Sequence, residues 1–407
     1  MIYKLIMALL CFTFITCGKP NSSENYQIIS MWHFWSEPHQ KDVLTAQILE
    51  FQRLNPTIKV ELTELQWSDG KTKLMLGFNA QNPPDVVHLG FEWMPEFIRS
   101  GVLKPLSDSL LSDTSGYFSP TIKSLIVNHK LYGLPWTMNT RAMLVSPDNA
   151  LSTLQGKLTW NNLREMKERS QKVNFWGINS TEPHNVLKKT LPIIWSAGSK
   201  LFTTLPLSKS FDSLSVVGLE FYLEMCKDGK LEQSRKLDDL FLQGKVATWI
   251  TGQWILDKAQ QLHKDSSFTV LSEIPVINNN TTGYSILGGD CLAIAKQSKS
   301  HNSAEILLQF LTKFKQSNEF CTKISDAGFP ASNEVFTTKY VNSLNKKLRD
   351  FLLQIQHSRI LPSSPYFLES ERIMEEEIMN AVYNKKSAKE ALKSAQKRIE
   401  SVEFGVR

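Results

Sequence analysis

The alternation of hydrophobic periods after residue 26 is the strongest constraint on the fold. Gln27 to Trp32 reads as a buried opening strand, after which Leu44, Ile48, Phe51 and Leu54 share one helical face until Asn55-Pro56 ends the helix. Ile58, Val60 and Leu62 then alternate with polar residues as a second strand does. Pro83-Pro84 introduces a third short apolar run, Asp85-Val86-Val87-His88-Leu89. Strand, helix, strand, helix, strand in that order predicts an α/β chain with a parallel sheet.

Similar signals recur beyond residue 138. Thr159-Trp160-Asn161-Asn162-Leu163 opens one helix, Val216 to Cys226 forms another, and Gly244 to Ile250 leads into a strand. A Ser303 cap precedes Ala304, Leu307, Leu308 and Leu311 at helical spacing. Met374, Ile378 and Val382 share a face, and after Asn384 a capping box of Ser387 and Glu390 starts a last helix carrying Ala388, Leu392, Ala395 and Ile399. A chain of 407 residues exceeds what one hydrophobic core fills, so two domains are expected.

The first residues have a different purpose. Lys4 precedes an uncharged stretch from Leu5 to Thr16, long enough for a signal-peptide core and too short to span a bilayer as a helix. Residues 1–16 are therefore expected to be a removed leader. The remaining Cys226, Cys291 and Cys321 are widely spaced, form no C-x-x-C pair and read as buried small hydrophobes.

A formal charge of +6, from 46 basic and 40 acidic residues, argues against a protein that binds nucleic acid by phosphate neutralisation. The 10 tryptophans are the unusual feature, because indole is favoured where an apolar face and a polar tip are both needed.

Several segments, in order, resemble the family 1 extracellular solute-binding proteins, the sugar-capturing lipoproteins of ABC importers. Phe14-Ile15-Thr16-Cys17-Gly18 resembles a bacterial lipobox, with Thr16 larger than the residue usual before the cysteine. Met31-Trp32-His33-Phe34-Trp35-Ser36 is similar to the family's first strand and loop, and Asn82-Pro83-Pro84-Asp85-Val86-Val87 to its P-D-V strand. Ser100 to Leu106 resembles its G-L-L-x-P-L turn, His129 to Pro135 its G-K-x-Y-G-x-P hairpin, and Thr159-Trp160 its T-W helix start. Phe241 to Trp254 resembles F-x-x-G-x-A-x-x-x-x-G-x-W, Leu287-Gly288-Gly289 its G-G strand, and Ala388 to Ile399 its A-L-x-x-A-Q-x-x-I tail. Each piece alone is unspecific; the order carries the resemblance.

The resemblance implies a two-lobed α/β periplasmic binding protein fold of type II, with discontinuous lobes, a hinge and a ligand cleft between them. The expected division is 26–137 with 288–340 in lobe 1 and 138–287 with 341–407 in lobe 2. It also implies acylation of Cys17, a tether over 17–25, a membrane permease with a separate ATPase as partner, a monomer, and no cofactor or bound metal.

A sugar presents hydroxyls around its rim and C–H groups on its faces, so its site combines planar aromatics with carboxylates that accept from neighbouring hydroxyls. By motif match, the loop after the first strand contributes Trp35, Ser36 and Glu37, and the loop after the Asp85 strand contributes Glu92 and Trp93. Trp136 follows the first interlobe crossing and Trp254 closes the G-x-W motif; lobe core is the alternative for both. Trp195 matches a segment that lines the second lobe, and Trp67 is placed to reach the ligand, whereas Trp160, Trp176 and Trp249 are expected inside. After Gly288 and Gly289 many sugar binders carry an aromatic, where this chain has Asp290. Asp290 is either a hydroxyl acceptor in the cleft or a structural residue bonding backbone amides. Tyr366 and Arg359 are further candidates, Arg359 suiting a phosphate or carboxylate.

Other classes place similar residues. An exported glycoside hydrolase would set paired carboxylates among tryptophans, with Glu37, Asp85, Glu92 and Asp290 as possible members, although Asp85 fits support of its strand better. A binder of a glycerol-phosphate-type ligand is another alternative. His33 and His39 flank Glu37, but no H-E-x-x-H or Cys/His cluster supports metal capture. The chain also lacks the phosphate-loop, dinucleotide and nucleophile-elbow signatures, so no catalysis is inferred.

Overall fold

The computed structural model describes residues 26–147, 157–170, 174–180, 182, 184–263 and 268–405. The leader, the lipobox Cys17 and the tether lie outside the described residues.

Strand Gln27–His33 pairs in parallel with Ile58–Glu64 on one side and Val86–Gly90 on the other, as the alternating pattern predicts. Helix Pro38–Leu54 buries Leu44, Ile48 and Phe51 against this sheet and stops at Asn55. Asp85 supports the third strand: it accepts from the Ser30 amide and hydroxyl and from Ser298 Oγ, at 2.9, 2.9 and 2.6 Å.

The sheet is not wholly parallel. Strand Ser285–Ile294 returns from the far half of the chain and runs antiparallel to Val86–Gly90. A return strand enters from the opposite end of the sheet, so its direction is set by topology rather than by its own residues.

One long strand, Leu134–Val145, belongs to both halves of the molecule. Its first part, Leu134 to Thr140, pairs with the return strand, and its second part, Arg141 to Val145, pairs with Thr248–Gly252. The sheet then continues through Trp176–Asn179 to Gly229–Glu232, both in parallel register. The hairpin that delivers the crossing strand joins Ile126–Val127 to Lys130–Leu131 through Asn128 and His129, both at positive φ, the geometry of a two-residue turn.

Three buried clusters follow from this path. The first packs Met31, Phe51, Val87, Phe97, Leu292 and Leu307 in one lobe. The second packs Trp160, Ile178, Leu191, Trp195, Phe221, Met374 and Ile399 in the other. The third lies on the opposite face of the crossing strand, where Met138, Ala142 and Leu144 meet Phe241, Trp249, Phe329 and Phe351. The crossing strand is therefore covered by buried side chains on both faces.

The cap assignments divide. Thr159 accepts from the Asn162 amide and Ser387 from the Glu390 amide, each within a reciprocal capping box. Ser303 is not a cap: its helix runs His301–Thr312 with Ser300 at the cap position, and Ser303 Oγ donates instead to Gln27 Oε1 at 2.5 Å. The hydrophobic period identified this helix but not its first turn, because a serine can bond tertiary partners as well as local ones.

Ser387→Ala removes a reciprocal cap from helix Ala388–Phe404, whose Leu392, Ala395 and Ile399 are buried in the second lobe. The expected loss is about 1 kcal/mol, read as a lower urea midpoint, with Ser387→Asp retaining most of the parent stability.

Candidate functional site

The lobes meet beside the paired return and crossing strands, where a turn of one lobe approaches a helix of the other. Immediately after strand Val86–Gly90 the chain forms a single turn, Phe91–Trp93, which carries Glu92 out of the first lobe. From the second lobe, helix Val186–Trp195 brings Lys188 to the same point, and Lys188 Nζ donates to Glu92 Oε1 at 2.8 Å. The two side chains are 13% and 23% exposed, so this interlobe ion pair is largely shielded from water. Burial pushes the Glu92 carboxyl upward, but the charge and hydrogen bond of Lys188, with help from Arg141, hold it at about 2. Burial likewise disfavours the Lys188 ammonium, and the charges of Glu92 and then Glu371 more than restore it.

Arg141 stands beside this pair on the crossing strand, where Nη1 donates to Asn139 Oδ1 at 3.0 Å. Its guanidinium carbon is 5.3 Å from the Trp254 ring centroid. Gly252 makes room for that indole: a Cβ there would fall 1.9 Å from Trp254 Cζ3, which gives the G-x-W motif its physical reason. Asp238 then fixes the tryptophans, accepting from Trp249 Nε1 at 2.7 Å, Thr251 Oγ1 at 2.9 Å and Trp254 Nε1 at 3.2 Å. Lys189 lies over the same rings, 4.9 Å from Trp249 and 5.4 Å from Trp254. It is only 3% exposed. Burial, then Arg141, lowers its ammonium to about 7.

The predicted aromatics separate into two groups. Trp67 is 47% exposed and stacks on Phe34 at 4.3 Å, with Trp93 tilted against it at 5.4 Å. Trp67 thus has free indole surface and Trp254 is half-buried, whereas Trp93 is buried in the first lobe's core. Trp35, Trp136 and Trp195 instead pack internally. Trp35 stacks on His88, Trp136 lies against Phe320 at 4.7 Å, and Trp195 Nε1 donates to Leu201 O at 2.7 Å. Trp136 is the extra residue of a β-bulge, since Thr137 faces Asp290 and Pro135 faces Cys291. Trp160, Trp176 and Trp249 are buried.

The protein neighbours of Asp290 are side chains rather than the backbone amides of the structural alternative. Asp290 is 6% exposed, with Oδ1 3.3 Å from His88 Nε2 and Oδ2 accepting from Thr137 Oγ1 at 3.1 Å. His88 Nδ1 accepts from the Phe34 amide, which leaves Nε2 to carry the proton facing Asp290. Gly289 sits at φ 142°, and a Cβ there would lie 2.2 Å from Thr137 O, so this glycine serves backbone approach. Glu37 is exposed at the start of helix Pro38–Leu54, next to half-buried Ser36. Tyr366 is half-buried under Arg99, 4.9 Å from its ring, whereas Arg359 lies 3.6 Å from Tyr284 in the second lobe. A cavity lined by Trp176, Asn179, Lys189, Tyr222 and Trp249 belongs to the second lobe's interior rather than to the interlobe contact.

Sequence reasoning missed Lys188, Lys189, Arg141 and Asp238. A signal was present for the lysines: Val-Leu-Lys-Lys-Thr-Leu-Pro-Ile-Ile-Trp over 186–195 sets them in a run otherwise suited to a buried helix, where charged residues are rare unless partnered.

That helix is anchored from outside. Its cap residue Asn185 makes no side-chain cap bond, and Glu375 of helix Phe367–Val382 accepts from the His184 and Leu187 amides instead, both at 3.0 Å. Glu371, one turn earlier, holds His184 Nδ1 at 2.6 Å. Burial, then the Glu371 charge, raises Glu375 from 4.5 to about 6. The folded form thus binds this proton more tightly than the unfolded chain, and the stability it carries below about pH 4.5 is lost as pH rises through 6. Glu375→Gln should flatten the stability profile between these limits by up to about 2 kcal/mol relative to the parent, measured by urea denaturation across that pH range.

Comparison with known proteins agrees with this architecture. The sequence pattern of the family described as bacterial extracellular solute-binding protein matches residues 46–346. The maltotriose-binding protein of Pyrococcus abyssi is 22% identical over 348 residues, covering 83% of this chain and 73% of that protein. An ABC transporter solute-binding protein of Thermotoga lettingae, solved with alpha-D-tagatose, superposes with a TM-score of 0.77 at 19% identity, covering 92% of this chain and 99% of that one. The sugar-binding protein MalE of Xanthomonas citri gives the same TM-score at 20% identity, over 92% and 97% of the two chains. At such identities the solved structures establish the shared two-lobed fold. The family match spans well over half the sequence, and the chain belongs to the bacterial extracellular solute-binding proteins.

Proposed function

We propose that this protein is the extracytoplasmic capture component of an ABC import system, and that its ligand is a sugar or oligosaccharide held between the lobes. The observation that carries the reading is the Glu92–Lys188 contact, where a carboxylate of one lobe and an ammonium of the other meet beside Arg141 and Trp254. Trp67 supplies flat apolar surface on the first-lobe side, backed by buried Trp93. Hydroxyls bond to charged groups more strongly than to neutral ones, and closure of the lobes removes competing water. Maltotriose and alpha-D-tagatose, named for two similar proteins, fall within this ligand class.

In this reading Glu92, Trp93, Trp67, Arg141, Lys188 and Trp254 contact the ligand. Trp35, Trp136, Trp195, Gly289 and Asp290 shape the walls behind them. The lobes divide as 26–137 with 288–340 and 138–287 with 341–407. Cys17 carries the lipid that holds the monomer at the membrane, and the closed form presents both lobes to a permease whose ATPase is a separate chain. The protein binds without turnover.

Thermal-shift screening of the tether-free protein against mono-, di- and oligosaccharides tests this. A true ligand at 100 times its dissociation constant stabilises the fold by about 2.7 kcal/mol. Glu92→Ala and Trp254→Ala abolish the shift, and Trp67→Ala weakens it with little change in the unliganded melting temperature. Trp195→Ala, in the core, costs about 3 to 5 kcal/mol of stability instead. If Glu92→Ala and Trp254→Ala respond like the parent, the site lies elsewhere; release of reducing sugar would point to a hydrolase.

A further inference from the structure

The charges between the lobes are matched rather than of one sign. Glu92 faces Lys188 across the interlobe contact. Arg141 lies within electrostatic reach of Glu92 and Asp290, and Lys189 within that of Asp238. Asp238 spends its carboxylate on Trp249, Thr251 and Trp254, and Asp290 on Thr137 and His88, so both anions are committed within one lobe or at the crossing strand. The Glu92–Lys188 pair is different because its two halves come from separate lobes.

We propose that this split ion pair makes the cleft selective for electrically neutral hydroxylic ligands and excludes both acidic and basic sugars. The inference rests on the carbohydrate reading above and deepens it. A hydroxyl donates and accepts at once, so it can enter between the pair, donating a hydrogen bond to Glu92 and accepting one from Lys188, with neither charge left unpartnered. A carboxylate, sulfate or phosphate has only acceptors: it satisfies Lys188 and turns like charge on Glu92. An ammonium has only donors and fails in the opposite sense. Closure makes the mismatch costly, because an uncompensated charge is then held away from water. Discrimination arises from repulsion of the wrong class as much as from attraction of the right one. An N-acetylated amino sugar, being neutral, passes.

The test uses matched sets of neutral, uronic-acid and 2-amino forms of glucose and galactose, together with maltotriose, trigalacturonate and deacetylated chitotriose. Binding is read by tryptophan fluorescence titration of the mature protein. Every ligand detected should be neutral, with its acidic and amino counterparts weaker by about a hundredfold or more. Glu92→Gln keeps the size and hydrogen bonding of the side chain and should narrow the acid penalty to about tenfold, while Lys188→Gln does the same for the amino form. A charged sugar that binds as well as its neutral counterpart overturns the inference while leaving the carbohydrate reading intact. So does a Glu92→Gln variant that binds the neutral sugar with its acid penalty unchanged. Should either variant fail to fold, the parent protein against the matched sets decides the question alone. No response to any sugar would end the carbohydrate reading and this inference with it.

Discussion

The structure depends on one strand being shared. Leu134–Val145 is hydrogen-bonded to the return strand at its start and to Thr248–Gly252 at its end, so a single backbone ladder passes from one lobe into the other. Backbone amides and carbonyls inside a protein must be paired, and a strand that changes partners midway keeps them paired while the lobes on either side remain separate bodies. The change of partner falls between Thr140 and Arg141, and Arg141 is the residue whose side chain stands beside the interlobe pair. The same strand that joins the lobes therefore also carries a cation beside the Glu92–Lys188 pair.

Around that strand, buried charge is handled by pairing. Glu375 caps the helix that carries Lys188, Glu371 holds His184, and Glu377 gathers Lys386, Ser394 and Arg398 at the junction of the last two helices. Such groups are costly to bury alone, and each is placed where a backbone amide or a cation answers it. Lys189 stands apart, since it is buried over two indoles and its ammonium is lowered to about 7, mainly by burial. The second lobe thus holds an ammonium group against two indoles, one buried and one half-buried.

Much of this was legible in the chain. The alternating periods placed the first three strands, Thr159-Trp160 and the Ser387 capping box located two helix starts, and the resemblance of His129 to Pro135 to a family hairpin pointed to the turn before the crossing strand. Each of those signals is local, and local chemistry suffices to read it. The tryptophans were harder. Trp67, Trp136 and Trp195 are chemically identical, yet Trp67 is 47% exposed and Trp136 is fully buried. A bulge opposite Asp290 and Cys291 decides how Trp136 is aimed, and nothing in its neighbours announces a bulge.

Residue order alone determined the α/β class, the stop of the first helix at Asn55 and the Ser387 cap, because periodicity and caps act over a few residues. Only the tertiary structure decided that the return strand runs antiparallel, that Asp290 is spent on His88 and Thr137, and that Glu92 finds Lys188, 96 residues away. Those outcomes depend on which distant surfaces meet when water is excluded from between them. A carboxylate carries no mark of its partner until folding supplies one.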